Sequence, residues 1–357
     1  MLLTNPCVFA AGDQYQIFVP VKNASVMWIK IGDKCYYDES NGVLRSLSRV
    51  HRINVPMKVL DDAKKYTVCN QEIRGRRKAY FNKMKPVKEY EYTFTPVTGD
   101  EVRCYHIADT HNRVDEPVKA AEVFGKIDFL ILNGDVPNDC GRKKYFNSIY
   151  EIVGKVTGGN IPAVFVRGNH DIRGKYAEIF GDYIPTVDGN TFFTFRVGNI
   201  WGLALDCGED KPDSHPEYGG TICCHYFRER ETQFIERVAD CECHNDDTII
   251  KKLVVVHNPF TIKYPEPFNI EEEMFAYWAK VIKEKIRPDL MICGHLHKTG
   301  VHPVGGKIDA HGQPCTVVVG SKPDKNYFKG VGYVFRKDET DVIFTDSNGT
   351  IEPVIKV

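Results

Sequence analysis

The stretch Val102-Arg103-Cys104-Tyr105-His106-Ile107-Ala108-Asp109-Thr110-His111 decides how the rest of the chain is read. A strand-like run ends in a carboxylate and, two positions on, an imidazole. The pattern recurs downstream. Phe129–Asn133 ends in Gly134-Asp135, and Ala163–Arg167 ends in Gly168-Asn169-His170-Asp171. Leu253–Val256 ends in His257, and Leu290–Cys293 ends in Gly294-His295-Leu296-His297. Loops at the carboxyl ends of strands in an α/β sheet converge on one crevice. Motifs spread from residue 109 to residue 297 are therefore expected to face a single site.

Carboxylate, imidazole and one amide oxygen are donors for hard-to-borderline divalent or trivalent metals. His295 and His297 stand two positions apart and cannot share a helix face. On an extended turn they can approach two different ions, and Asp135 can bridge two ions through its two oxygens. The glycines ahead of Asp135, Asn169 and His295 permit sharp turns.

Working outward, helical segments are expected at Pro117–Gly125, Lys144–Gly154, Arg228–Ala239 and Glu271–Ile286, alternating with buried strands as in a layered α/β domain. Beyond His297 the chain returns to strands, with Thr316–Val319 and a hairpin of Gly332–Phe335 and Asp341–Asp346. Ahead of residue 98 the texture is all-β: Tyr15–Val21, Ser25–Ile31, Lys34–Tyr37, Val50–Val59, Tyr66–Ile73 and Tyr90–Thr95 suggest a small sandwich. A chain of 357 residues accommodates two domains. We place an N-terminal β-sandwich (fibronectin/immunoglobulin-like) at 1–97 and a catalytic α/β domain at 98–357.

A formal charge of −1 offers no global field for nucleic acid or an anionic membrane. No stretch approaches the ~18 apolar residues of a membrane span, and the first residues lack the basic region of a secretory signal. Twelve cysteines are scattered without framework spacing. Reduced thiols and a cytoplasmic location are expected, with an exported form as the alternative.

The ordered motifs resemble those of the calcineurin-like metallophosphoesterase superfamily, whose pattern runs D-x-H, G-D, G-N-H-D/E, H, G-H-x-H. The resemblance implies a four-layer α/β/β/α metallo-dependent phosphatase fold, here preceded by a small all-β sandwich similar to that of purple acid phosphatases. It implies one metal held by Asp109, His111, Asp135 and His297, and a second held by Asp135, Asn169, His257 and His295. His170 corresponds to the histidine that protonates the leaving group. The reaction so implied is hydrolysis of a small-molecule phosphomonoester or phosphodiester, with a metal-bridging hydroxide attacking phosphorus. The two ions are drawn from Mn, Fe, Zn, Co and Mg. The alternative class is a non-catalytic metal-binding interaction protein on the same fold, like the phosphoesterase-fold subunit of retromer. The sandwich is expected to shape the cleft or to mediate homodimer contacts.

Two branches of the superfamily fit less well. Purple acid phosphatases carry a tyrosine three residues after the bridging aspartate, where this chain has Asn138. Ser/Thr protein phosphatases carry Asp-Arg-Gly where this chain has Asn138-Asp139-Cys140-Gly141. Asn138, or Asp139, is a candidate to orient His170. The segment from Asp206 to Gly220 reads as a loop beside the cleft, where His215, Glu217 and Tyr218 either touch substrate or only build turns. Cys223-Cys224-His225 and Cys241-Glu242-Cys243-His244 have poor spacing for a four-ligand zinc site and read as incidental thiols, with metal or disulfide roles as alternatives. The basic run Arg74, Arg76, Arg77 and Lys78 reads as a solvated loop.

Overall fold

The computed structural model describes residues 1–76 and 82–357; Arg77 and Lys78 of the basic run lie outside the described residues. Two sheets form the centre. One has ten strands and runs, in spatial order, Ile355–Lys356, Thr340–Asp346, Tyr327–Arg336, Glu101–Ile107, Phe129–Asn133, Ala163–Val166, Cys7–Ala11, Gln14–Pro20 and Val50–Pro56, with Lys322–Asp324 paired to Tyr327–Arg336. The other has six: Phe193–Val197, Ile200–Leu205, Lys251–Val256, Leu290–Cys293, Thr316–Gly320 and Thr299–His302. The strands that end in site residues are parallel to their sequence-adjacent partners in each sheet.

Alternation along these strands builds the layers. Cys104, Ile131, Val164 and Val166 of the first sheet meet Leu253, Val255, Ile292 and Val318 of the second in one core. Their neighbours point the other way, because successive side chains of a strand face opposite sides. Tyr105, Leu130 and Leu132 pack on Ala120, Phe124, Ile149 and Val153 of the helices Asp115–Phe124 and Asn147–Thr157. Val254, Val256 and Met291 pack on Ile235, Val238 and Trp278 of the helices Cys224–Asp240 and Glu272–Val281. The result is the expected α/β/β/α order.

The N-terminal part is a sandwich, but the boundary expected at residue 97 does not separate two sheets. A five-stranded sheet that includes Lys88–Thr93, Lys65–Gly75, Ser25–Ile31 and Lys34–Tyr37 forms one leaf. The other leaf is Cys7–Ala11, Gln14–Pro20 and Val50–Pro56, and Phe9 pairs in parallel with Ala163. All five residues of Cys7–Ala11 are buried. A strand apolar on both faces is suited to the middle of a sheet covered on two sides, so it continues the ten-stranded sheet. The strand expected to reach Val59 ends at Pro56, and a helix, Met57–Ala63, starts there. Proline at a helix start loses no hydrogen bond, since the first amides lack intrahelical partners. Among the described residues no helix is long and apolar enough to cross a membrane.

Candidate metal centre

The five motifs follow the carboxyl ends of strands from both central sheets, and their side chains meet where those ends face each other. His257 Nε2 lies 3.2 Å from Asp135 Oδ2 and 3.5 Å from Asp109 Oδ1. His297 Nε2 is 3.3 Å from Asp109 Oδ1 and 3.2 Å from His111 Nε2. His295 Nδ1 is 3.1 Å from Asn169 Oδ1. Donor atoms cluster within 4.8 Å of one another in the sets Asp109–His111–His297, His111–Asp135–His170 and Asp135–His257–His295. Asp135 and His111 each belong to two of these sets.

The loops that carry these side chains depart from ordinary backbone. Asp109, His111, Asp135, His295 and His297 all have left-handed φ, between 45° and 68°. Such conformations cost non-glycine residues of order 1–3 kcal/mol each and persist only where the surroundings over-determine them. Here the surroundings are cross-loop hydrogen bonds. Asp109 N–H donates to Gly134 O, His111 N–H to Asp135 O, and Gly294 N–H to His257 O. The Asp171 carboxylate accepts from the Asp135 and Gly168 amides at 3.1 and 2.8 Å. Gly134 is obligatory: its φ is +74°, and a Cβ there would lie 2.5 Å from His257 Nδ1 and 2.7 Å from Gly168 Cα.

The electrostatics call for cations. Asp109 and Asp135 are buried side by side. His257 donates from Nδ1 to Asn133 O at 2.7 Å, so its lone pair is on Nε2, which has no hydrogen-bond partner and faces both carboxylates. A lone pair aimed at two buried carboxylates is unfavourable unless something positive lies between them. Without a metal a proton can play that part. Burial by itself would lower the His257 pKa, but the Asp135 and Asp109 charges outweigh it and raise it to about 10. Burial lowers His111 and His295 to about 4, which leaves them neutral and able to ligate. Imidazoles gathered around two buried carboxylates are a donor set that fits borderline cations.

The Asn169 amide has two orientations, of which only the second satisfies both of its polar atoms. Its oxygen can face His295, or it can turn to accept from Arg173 Nη2 at 2.9 Å while the nitrogen donates to Asp135 and His295. Only in the first is the oxygen a ligand atom.

Asn138 orients His170, as the sequence suggested, but through its backbone. The ring's Nδ1 donates to the backbone carbonyl of Asn138 at 2.8 Å, and the Asn138 side chain turns to Asp139 instead. Its Nε2 therefore faces the centre as an acceptor, with Arg173 Nη1 at 3.0 Å. Arg173 is itself clamped by Glu209, through Nε at 2.6 Å and Nη2 at 2.7 Å, and by Asp210 at 3.1 Å. Tyr218 donates to both of these carboxylates. The segment from Asp206 to Gly220 thus reaches the centre through Arg173, while His215 accepts the Glu217 N–H and Glu217 pairs with Lys211.

Sequence reasoning overlooked four contributors. Asp171 and Arg173 stand within or just past the quoted Gly168–Asp171 motif. Glu209 stands in a loop already suspected of lining the cleft. Ser321, whose hydroxyl donates to Asp109 Oδ2, carried no local signal, because it arrives from a strand end remote in sequence.

Among solved structures, the chain resembles a purple acid phosphatase, PPD1 from yellow lupin (Lupinus luteus) seeds, with a TM-score of 0.60 and 11% identity over 99% of this chain and 73% of that one. Weaker likenesses are to vacuolar protein sorting 29 from Cryptosporidium parvum, at TM-score 0.36, 9% identity, and 72% and 99% coverage, and to a Vps29 mutant from Entamoeba histolytica, at TM-score 0.33, 12% identity, and 71% and 98% coverage. The lupin enzyme shares the fold, and the other two add nothing to that. No curated protein sequence matches the chain. The calcineurin-like phosphoesterase domain is matched over residues 102–299, which is more than half of the chain and includes all five motifs from Asp109 to His297, and the chain belongs to that family.

Proposed function

We propose that this protein is a binuclear metal-dependent hydrolase of small-molecule phosphate esters, monoester or diester. The observation that carries the reading is the sharing of Asp135 between two donor sets, with the His257 lone pair turned onto two buried carboxylates. Asp109, His111, Asp135 and His297 would hold one cation, and Asp135, Asn169, His257 and His295 the other. When bound, the cations supply Lewis acidity at the phosphoryl oxygens and make water acidic enough to react near neutral pH.

The chain's own residues do the rest. The Asn138 carbonyl fixes the His170 ring through Nδ1, so Nε2 is the atom that holds the proton for the leaving group. A proton arriving on Nε2 requires the Arg173 guanidinium to turn aside, because both now share that atom. Glu209 and Asp210 offset the charge of Arg173. Arg173 is therefore read as bracing His170 against the 206–220 loop, and not as a free anion trap. The positively biased surface that would receive the phosphoryl group is the metal pair itself, flanked by half-exposed His297 and His170.

The test is hydrolysis of p-nitrophenyl phosphate and of its bis ester by chain loaded separately with Mn²⁺, Zn²⁺ or Fe²⁺, with metal content measured on the same samples. Turnover of one ester or both supports the proposal and separates monoester from diester preference. Two bound metals with no turnover of either ester would favour the non-catalytic alternative.

A further inference from the structure

The helix Cys224–Asp240 gives way to a short turn carrying Cys241, Cys243 and His244, none of them among the residues of the metal centre. The two sulfurs and a ring nitrogen of His244 all lie within 4.8 Å of one another. The cysteines are joined as a disulfide, where the sequence reading favoured incidental thiols. His244 is only 2% exposed, unlike the cysteines beside it. Its Nε2 donates to the Lys285 carbonyl at 3.3 Å. The lone pair is then on Nδ1, and Nδ1 has no hydrogen-bond partner.

A buried acceptor without a partner calls for an explanation. A backbone carbonyl on the remote nitrogen is the arrangement that fixes the tautomer and orientation of ligating histidines. Two sulfurs within 4.8 Å of a nitrogen of this ring complete a soft donor set, quite unlike the carboxylate-rich set of the first centre.

We propose that the reduced Cys241 and Cys243 thiolates and His244 Nδ1 form a second cation site, for a thiophilic divalent ion of the zinc class, which the disulfide closes. A small dithiol opens it by thiol–disulfide exchange. The reductant's two sulfurs become its own disulfide, and the two electrons and two protons pass to Cys241 and Cys243. Cation binding then releases the thiol protons. The three protein donors leave a fourth position for solvent, and Cys243 also lines a cavity of about 690 Å³ with Trp201 and Met57. Occupied or oxidised, the turn ties the end of one helix to the π-helical turn Ile282–Ile286 that follows another.

Thiolate-to-metal charge transfer tests this separately from the first centre, which has no sulfur donors. Full-length chain is reduced with dithiothreitol, freed of it without air, and titrated with Co²⁺ or Cd²⁺. The expected result is one equivalent of thiolate band, unchanged in Cys35→Ser/Cys223→Ser and in Asp135→Asn. The band should vanish in Cys241→Ser/Cys243→Ser and on reoxidation of the wild-type chain. His244→Asn should weaken binding at least tenfold. No band, with both thiols shown free by alkylation, overturns the proposal. So does a band that survives Cys241→Ser/Cys243→Ser, or an unchanged affinity in His244→Asn. Should the double variant fail to fold, zinc-edge X-ray absorption on the wild-type chain decides: sulfur scatterers at about 2.3 Å support the site, and nitrogen and oxygen alone refute it.

Discussion

Replacing Asp135 with asparagine separates charge from shape at the shared ligand. The amide oxygen can keep the hydrogen bond that Oδ1 accepts from the His170 N–H at 2.8 Å. The amide nitrogen can donate to the His257 lone pair where Oδ2 now stands, 3.2 Å away. The metal-free fold should therefore survive, and thermal melting of chelated protein provides the control. What is lost is a unit of negative charge. At an effective dielectric of ~20, two unit charges separated as Oδ2 and Nε2 are interact by roughly 5 kcal/mol. A dication would forfeit about twice that, and the amide oxygen and water would return a large part. A net loss of about 4 kcal/mol per ion corresponds to a ~10³-fold weaker affinity. Calorimetric titration of Mn²⁺ into chelated wild-type and variant chains, with elemental analysis of both, measures it. Two ions bound to Asp135→Asn at wild-type affinity would refute the reasoning. Loss of one ion with the other unchanged would show that Asp135 serves a single site.

His170→Gln should retain both metals and lower kcat by ~10²–10⁴; wild-type turnover would remove the proton-donor role. Arg173→Ala strands the fully buried Glu209 carboxylate, and breaking such a pair costs about 3–5 kcal/mol. Urea unfolding should show that loss, with most of it recovered in Arg173→Ala/Glu209→Gln, and an unshifted midpoint would mean the pair contributes little. His225 is an exposed case with a pH signature. Its hydrogen bond to Glu271 at 2.8 Å, and then the Glu271 charge, raise its pKa above the ordinary 6.5. A raised folded-state pKa stabilises fully below the unfolded value, and the contribution is lost as pH rises through the folded one. The Tm advantage of wild type over His225→Gln should therefore be largest below pH 6.5 and shrink above it, and a pH-independent difference would contradict the pairing.

The layered architecture was legible because the five strands that carry the site announce themselves twice, by a short apolar run and by a polar motif at the carboxyl end. The N-terminal strands lacked the second signal. Cys7–Ala11 is apolar throughout, yet nothing local says that its neighbour is Ala163, since pairing depends on which sheet edge is free. Pro56 as a helix start was also missed, because the strand run before it reads on through Val59 although Met57, Lys58, Leu60 and Ala63 are good helix formers.

At the candidate site, residue chemistry and order along the chain were sufficient to nominate Asp109, His111, Asp135, Asn169, His170, His257, His295 and His297. Donor type is a property of each residue alone, and the topology of parallel strands sends their ends to one edge. Orientation is not local in that sense. That His170 leans on the Asn138 carbonyl, that Arg173 braces it from Glu209, that Ser321 reaches Asp109, and that His244 meets the Lys285 carbonyl and is left with an unpartnered Nδ1 all depend on segments distant in sequence meeting in the fold. Hydrogen bonds select partners by distance and angle, and only the folded chain supplies those.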